Sequence, residues 1–131
     1  MNFKTIDIEQ LLMLHSLVLA KTGGGDGARD VGRLESAVAT QTQEVFGSEL
    51  YSTIFEKAAA VGRGIVADHP FVDGNKRTAM LAALTILGVN DYELIATNKQ
   101  LEDFAVQAAV DHLEVADITT WLKAHSQPKI A

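Results

Sequence analysis

Between Asn75 and Leu87 lies a segment that other parts of the chain have to surround. Beyond its first turn it carries Met80, Leu81, Leu84 and Leu87 with alanines between them, and it is apolar on nearly every side. Read as a helix it cannot face water, so it predicts a buried centre.

The remaining segments supply the cover. Asp7 with Gln10 makes a capping box for a helix bearing Leu11, Leu14, Leu17 and Val18 on one face. Four glycines between Lys21 and Asp30 stop it and predict a loop, either a connector or one facing substrate. A second helix starts near Asp30 and carries Val31, Leu34 and Val38, and a third, capped by Ser48, runs through Ile54, Phe55, Ala58, Val61 and Ile65. His69-Pro70 ends that helix, because a residue before proline is pushed out of the α region. Asn75 is the expected cap of the central helix, Tyr92–Ala96 reads as a short extended segment, and Asn98 and Asp117 are the expected caps of the last two helices. Gln127-Pro-Lys129 reads as a frayed tail. The expected fold is therefore all-α: one compact domain over residues 1–131, a bundle of about six helices around the buried one.

Composition excludes several roles. Asp and Glu number 17 against 11 Lys and Arg, for a net charge of −6, which argues against direct nucleic-acid binding. With no Cys there is no disulfide framework and no thiolate nucleophile or metal ligand. Leu11–Ala20 is too short to span a bilayer and follows acidic residues rather than a basic leader, so a cytoplasmic protein without a membrane segment is expected.

The chemistry is concentrated in Asp68-His-Pro-Phe-Val-Asp-Gly-Asn-Lys-Arg-Thr-Ala79. A helix opening at Asn75 leaves the N–H groups of Lys76, Arg77 and Thr78 without intrahelical acceptors, and Gly74 lets a ligand approach the backbone. Lys76 and Arg77 oppose the helix dipole at that end, an arrangement that a bound polyanion offsets. His69 can accept a proton near neutral pH, and Asp73 is a hard oxygen ligand suited to Mg2+ that also touches substrate phosphates. Base, metal ligand and phosphate cradle are the parts needed to move a phosphorus-containing group from a nucleotide to a hydroxyl.

His69-Pro-Phe-Val-Asp-Gly-Asn-Lys-Arg77 resembles the nine-residue Fic/Doc signature H-P-F-x-[DE]-G-N-[GK]-R, and Gly27–Ala37 resembles the family's glycine-rich loop and following helix. The short, helical chain is similar to the Doc branch, toxins of toxin–antitoxin pairs. The resemblance implies His69 as the base, Asp73 as the magnesium ligand, Gly74, Asn75, Lys76 and Arg77 as phosphate contacts, and Phe71 as the buried anchor of the loop. AMP-transferring Fic proteins usually have glycine where Lys76 stands and a second arginine where Met80 stands. Their absence implies the Doc activity: transfer of the ATP γ-phosphoryl group to a threonine of elongation factor Tu, which halts translation. Neither Thr40–Glu44 nor Ser52–Glu56 completes the inhibitory pattern [ST]-x-x-x-E-[GN] of self-restrained relatives; both read as ordinary helix. The implied restraint is an antitoxin with a disordered C-terminal segment.

Simpler readings stand beside these. His15, His112 and His125 read as structural, Arg63 as a solvated or salt-bridged helix residue, and Trp121 and Phe104 as core. A zinc site at His69 and Asp73 has no third ligand nearby in sequence. The alternatives to the kinase are a nucleotidyl transferase acting on a protein hydroxyl and a non-catalytic nucleotide- or antitoxin-binding protein.

Overall fold

The computed structural model describes residues 3–130; residues 1, 2 and 131 of the expected domain lie outside them. Six helices dominate: α1 (Ile8–Thr22), α2 (Val31–Ala39), α3 (Ile54–Asp68), α4 (Asn75–Val89), α5 (Asn98–Val110) and α6 (Val115–Ala124). A 3-10 turn, Thr40–Thr42, follows α2, and two small antiparallel pairs complete the fold. One joins β1 (Glu44–Val45) to β2 (Ser48–Glu49), the other β3 (Tyr92–Leu94) to β4 (Ser126–Pro128). The all-α expectation holds.

The first helix starts as the sequence predicts: Asp7 accepts from the Gln10 N–H at 2.8 Å and Gln10 returns the bond at 2.8 Å. Its buried stripe, however, is Leu11, His15 and Val18, while Leu17 is exposed. The third helix starts five residues later than expected, its cap lying at Thr53 instead of Ser48. Phe46 and Gly47 both adopt positive φ, 51° and 80°, the geometry of a two-residue hairpin turn, and this places Ser48 in a strand. Thr53 is the actual cap, paired reciprocally with Glu56. Hence Thr40–Glu44 is a 3-10 turn entering a strand rather than helix.

The other caps move by one to three positions. Thr97 rather than Asn98 caps α5, because its side chain and that of Gln100 form the reciprocal pair. At α6 Glu114 is the cap residue and Asp117 reaches back to its N–H at 3.1 Å. The tail is not frayed at Ser126–Pro128, where backbone pairing with Tyr92–Leu94 holds it.

Small residues bring α3 and α4 together. A Cβ added at Gly62 would stand 3.5 Å from the Ala79 carbonyl oxygen and 3.9 Å from the Ala83 Cβ. Ala58, Ala59, Ala79, Ala82 and Ala83 are fully buried, as the all-round apolar character of α4 requires. The core continues through Leu11, Leu34, Ile65, Ile86, Ile118 and Leu122. Close packing of α3 on α4 fixes the His69–Gly74 connection that joins them.

Lys57 is the one charged side chain among the described buried residues. Its Nζ donates to the Gln41 carbonyl at 2.6 Å and pairs with Glu49 at 3.1 Å, fastening the hairpin to α3.

Candidate active site

The nine signature residues occupy the α3–α4 connection and the first turn of α4. His69 closes α3 in the left-handed region (φ 46°, ψ 57°), with its N–H still bonded to Ile65. That conformation costs a non-glycine residue about 1 kcal/mol, and it turns the chain out of the helix. The imidazole is exposed and makes no hydrogen bond among the described residues, so its lone pair is available. Two hollows meet at it, one lined by Arg29, Arg33 and Asp68, the other by Arg63, Ala109 and His112.

Backbone pairing fixes the loop beyond His69. Pro70 accepts from the N–H groups of Arg29 (2.7 Å) and Asp30 (3.0 Å), and Val72 donates to Gly27 at 3.2 Å. Ala28 and Phe71 thereby form an antiparallel bridge. The segment before α2 is thus a splint for the loop. Arg33 strengthens the same edge by pairing with Asp30 (3.1 Å) and Asp68 (3.0 Å). Phe71 is fully buried, as expected of the anchor.

Asp73 is exposed at the top of the loop. Its Oδ2 accepts from the Gly25 N–H at 2.6 Å, and no described hydrogen bond takes Oδ1. The four-glycine loop therefore faces this site and holds one carboxylate oxygen. No group of three or more metal-ligating side chains occurs among the described residues. A single carboxylate with one free oxygen still suits Mg2+, which keeps its waters and shares substrate phosphates. It does not suit zinc.

The start of α4 differs from expectation by one residue. Gly74, at φ 79°, is the cap position, and Asn75 is the first helical residue. The Thr78 N–H already bonds the Gly74 carbonyl at 2.9 Å. The N–H groups without a helical acceptor are those of Asn75, Lys76 and Arg77. Asn75 caps nothing: its side-chain amide bonds the Phe71 backbone at both ends, so only its main-chain N–H remains for an anion. Lys76 and Arg77 are exposed beside it, and Arg77 reaches Glu102 of α5 at 3.5 Å.

Met80 lies one turn on and is buried. It lines an apolar groove of about 270 Å³ between α1, α4 and α5 with Val18, Leu84 and Leu101, and Lys21, Arg77 and Glu102 lie on its border. Arg63 meets the simpler expectation, pairing with Glu114 at 3.3 Å. Phe104 and Trp121 stack at 4.2 Å, Trp121 stacks on His125 at 4.0 Å, and His125 bonds the Trp121 carbonyl at 2.8 Å.

The sequence reading missed His15 as part of this assembly. The ring is 2% exposed, stacks on Phe71 at 3.8 Å and has Nε2 2.8 Å from the Asp73 carbonyl oxygen. The available signal was its spacing: Leu11, His15 and Val18 stand at i, i+4 and i+7, which puts the imidazole on the inward face.

The chain is similar to known proteins over most of its length. The chain is 39% identical over 106 residues to a Toxin Doc of Mycolicibacterium smegmatis, covering 81% of this chain and 75% of that protein. It is 30% identical over 118 residues to the Protein kinase doc of Escherichia phage P1, covering 90% and 92%. The Fic/DOC family model matches residues 5–87, from ahead of α1 to the last turn of α4, so the splint, the loop, all of α3 and most of α4 fall within the match. The chain belongs to the Fic/DOC family.

Proposed function

We propose that this protein is a Doc-type toxin that transfers the γ-phosphoryl group of ATP to a threonine hydroxyl of elongation factor Tu. The carrying observation is the pairing, on one stiff loop, of an unbonded imidazole at His69 with the free N–H groups of Asn75, Lys76 and Arg77. His69 takes the hydroxyl proton as the oxygen attacks the γ-phosphorus. The bond from that phosphorus to the β,γ-bridging oxygen breaks, and ADP leaves. The main-chain N–H groups at Gly74–Arg77, with the Lys76 and Arg77 side chains, hold the phosphates and balance their charge. Magnesium bound at Asp73 would neutralise charge on the phosphates and help to orient them. Arg77 leaves its exposed pairing with Glu102 to do this.

Phosphoryl transfer is favoured over nucleotidyl transfer by Met80. A buried thioether on an apolar groove cannot clamp a nucleotide's outer phosphates as an arginine can. The relative named a protein kinase supports the same choice. Non-catalytic binding is disfavoured because the base, the carboxylate and the phosphate donors are all present.

Restraint comes from an antitoxin whose disordered C-terminal segment folds on this protein. The groove between α1, α4 and α5 supports that reading, since an occupant there would lie against Arg77. The substrate places the activity in the cytoplasm. Among the described residues no helix is long and apolar enough to cross a membrane.

The test is isotope transfer in a bacterial lysate. Label from γ-labelled ATP should reach one band of the size of elongation factor Tu, and label from α-labelled ATP should not. Transfer from the α position would overturn the kinase reading.

A further inference from the structure

We infer that His15 is a positioning residue for the phosphate cradle, acting through the peptide bond between Asp73 and Gly74. The inference rests on the phosphate reading of that cradle.

His15 belongs to α1, far in sequence from the loop, yet it meets the loop twice. Its ring lies parallel to Phe71, 3.8 Å away with 6° between the planes. Its Nε2 is 2.8 Å from the Asp73 carbonyl oxygen. A carbonyl only accepts, so Nε2 carries the proton and donates. Packing would be satisfied by any flat apolar ring. A buried imidazole aimed at one carbonyl does more than fill space.

That carbonyl belongs to a linkage whose flip the backbone on its far side would tolerate. The residue after it is Gly74, and glycine accepts either sign of φ at little cost. The observed φ of 79° is one of two accessible settings. A trans peptide is planar, with its C=O and N–H pointing in opposite directions. Drawing the Asp73 carbonyl down to α1 therefore turns the Gly74 N–H away from α1. In the flipped setting the carbonyl oxygen would take that place and repel a phosphate. The missing side chain at Gly74 allows the approach: a Cβ there would stand 3.3 Å from Val18 Cγ1 and 3.7 Å from His15 Cδ2. The His15 bond selects the setting in which Gly74 adds a fourth N–H to those of Asn75, Lys76 and Arg77.

The full-length His15→Phe variant tests this, because it keeps a flat ring and removes the donor. Amide spectra of both proteins are recorded while ATP and magnesium are added. In the wild type the amides of Gly74, Lys76 and Arg77 should all shift. In the variant Lys76 and Arg77 should still respond, Gly74 should not, and the Kd for ATP should rise about tenfold, a usual loss for one bond to an anion. A helix that had merely lost packing would not silence Gly74 alone. An unchanged Kd and an unchanged Gly74 response would overturn the inference while leaving the phosphate cradle standing. A wild type that binds no ATP would remove the cradle and the inference together. Should the variant not fold, the imidazole nitrogen spectrum of the wild type decides: a protonated Nε2 supports the bond, and a bare Nε2 overturns it.

Discussion

The side-chain amide of Asn75 meets the backbone of Phe71 at both ends, its Oδ1 accepting from the Phe71 N–H and its Nδ2 donating to the Phe71 carbonyl, each at 3.0 Å. The first residue of α4 thereby holds the loop that precedes it, and it holds it where the Phe71 ring enters the core. Both bonds are buried, so their loss leaves two main-chain groups without partners. Asn75→Ala should destabilise the protein by about 2–3 kcal/mol. Asn75→Asp should cost at least as much, since a carboxylate would face the Phe71 carbonyl. Urea unfolding of the three proteins measures this, and equal midpoints would show that the pair does not hold the loop.

His69, the proposed base, has a strained backbone. At φ 46° it sits where glycine is at ease. His69→Gly should abolish transfer, lowering the rate by about 10²–10⁴, while stability rises by about 0.5–1 kcal/mol or holds level. Thermal unfolding alongside the isotope assay gives both quantities. A variant that keeps transfer would remove His69 from the chemistry.

Gly25 stands over Asp73. A Cβ there would fall 2.8 Å from Val72 Cγ1 and 3.1 Å from Asp73 Oδ2, closer than side chains tolerate. Gly25→Ala should push the glycine loop away and break the bond that orients the carboxylate. Partners of metal ligands typically govern affinity by about 10–100-fold. The magnesium concentration for half-maximal transfer should rise by about tenfold or more, and an unchanged requirement would mean that Asp73 needs no such orientation.

Arg77 and Glu102 pair at 3.5 Å with more than half of each side chain exposed. Such a pair contributes about 0–1 kcal/mol, so Glu102→Gln should barely change the unfolding midpoint. It should lower the KM for ATP, because Arg77 no longer leaves a carboxylate to reach phosphate. A raised KM would show that Glu102 orients Arg77 rather than competing for it.

Much of this was legible in the sequence because it was local. The capping box at Asp7, the stop at His69-Pro70 and the all-round apolar run after Asn75 each carry their cause within a few residues. What was not legible depended on contacts made at long range. Ser48 is a plausible cap until the positive φ at Phe46 and Gly47 closes a hairpin ahead of it. Ser126–Pro128 is fastened by a strand more than thirty residues earlier. Asn75 and Thr78 were read one residue out of place because the preceding glycine takes the cap position in a left-handed conformation. At the site, the residue types of the loop suggest a chemistry from the sequence alone, whereas the grip of Gly25 on Asp73 and of His15 on its carbonyl appears only once α1 and α4 are packed.

The most direct test of the account is the intact mass of purified elongation factor Tu after incubation with this protein, ATP and magnesium. The account predicts the gain of one phosphoryl group, absent when His69→Ala replaces the wild type. A gain of one AMP, or a phosphoryl gain that survives His69→Ala, would contradict it.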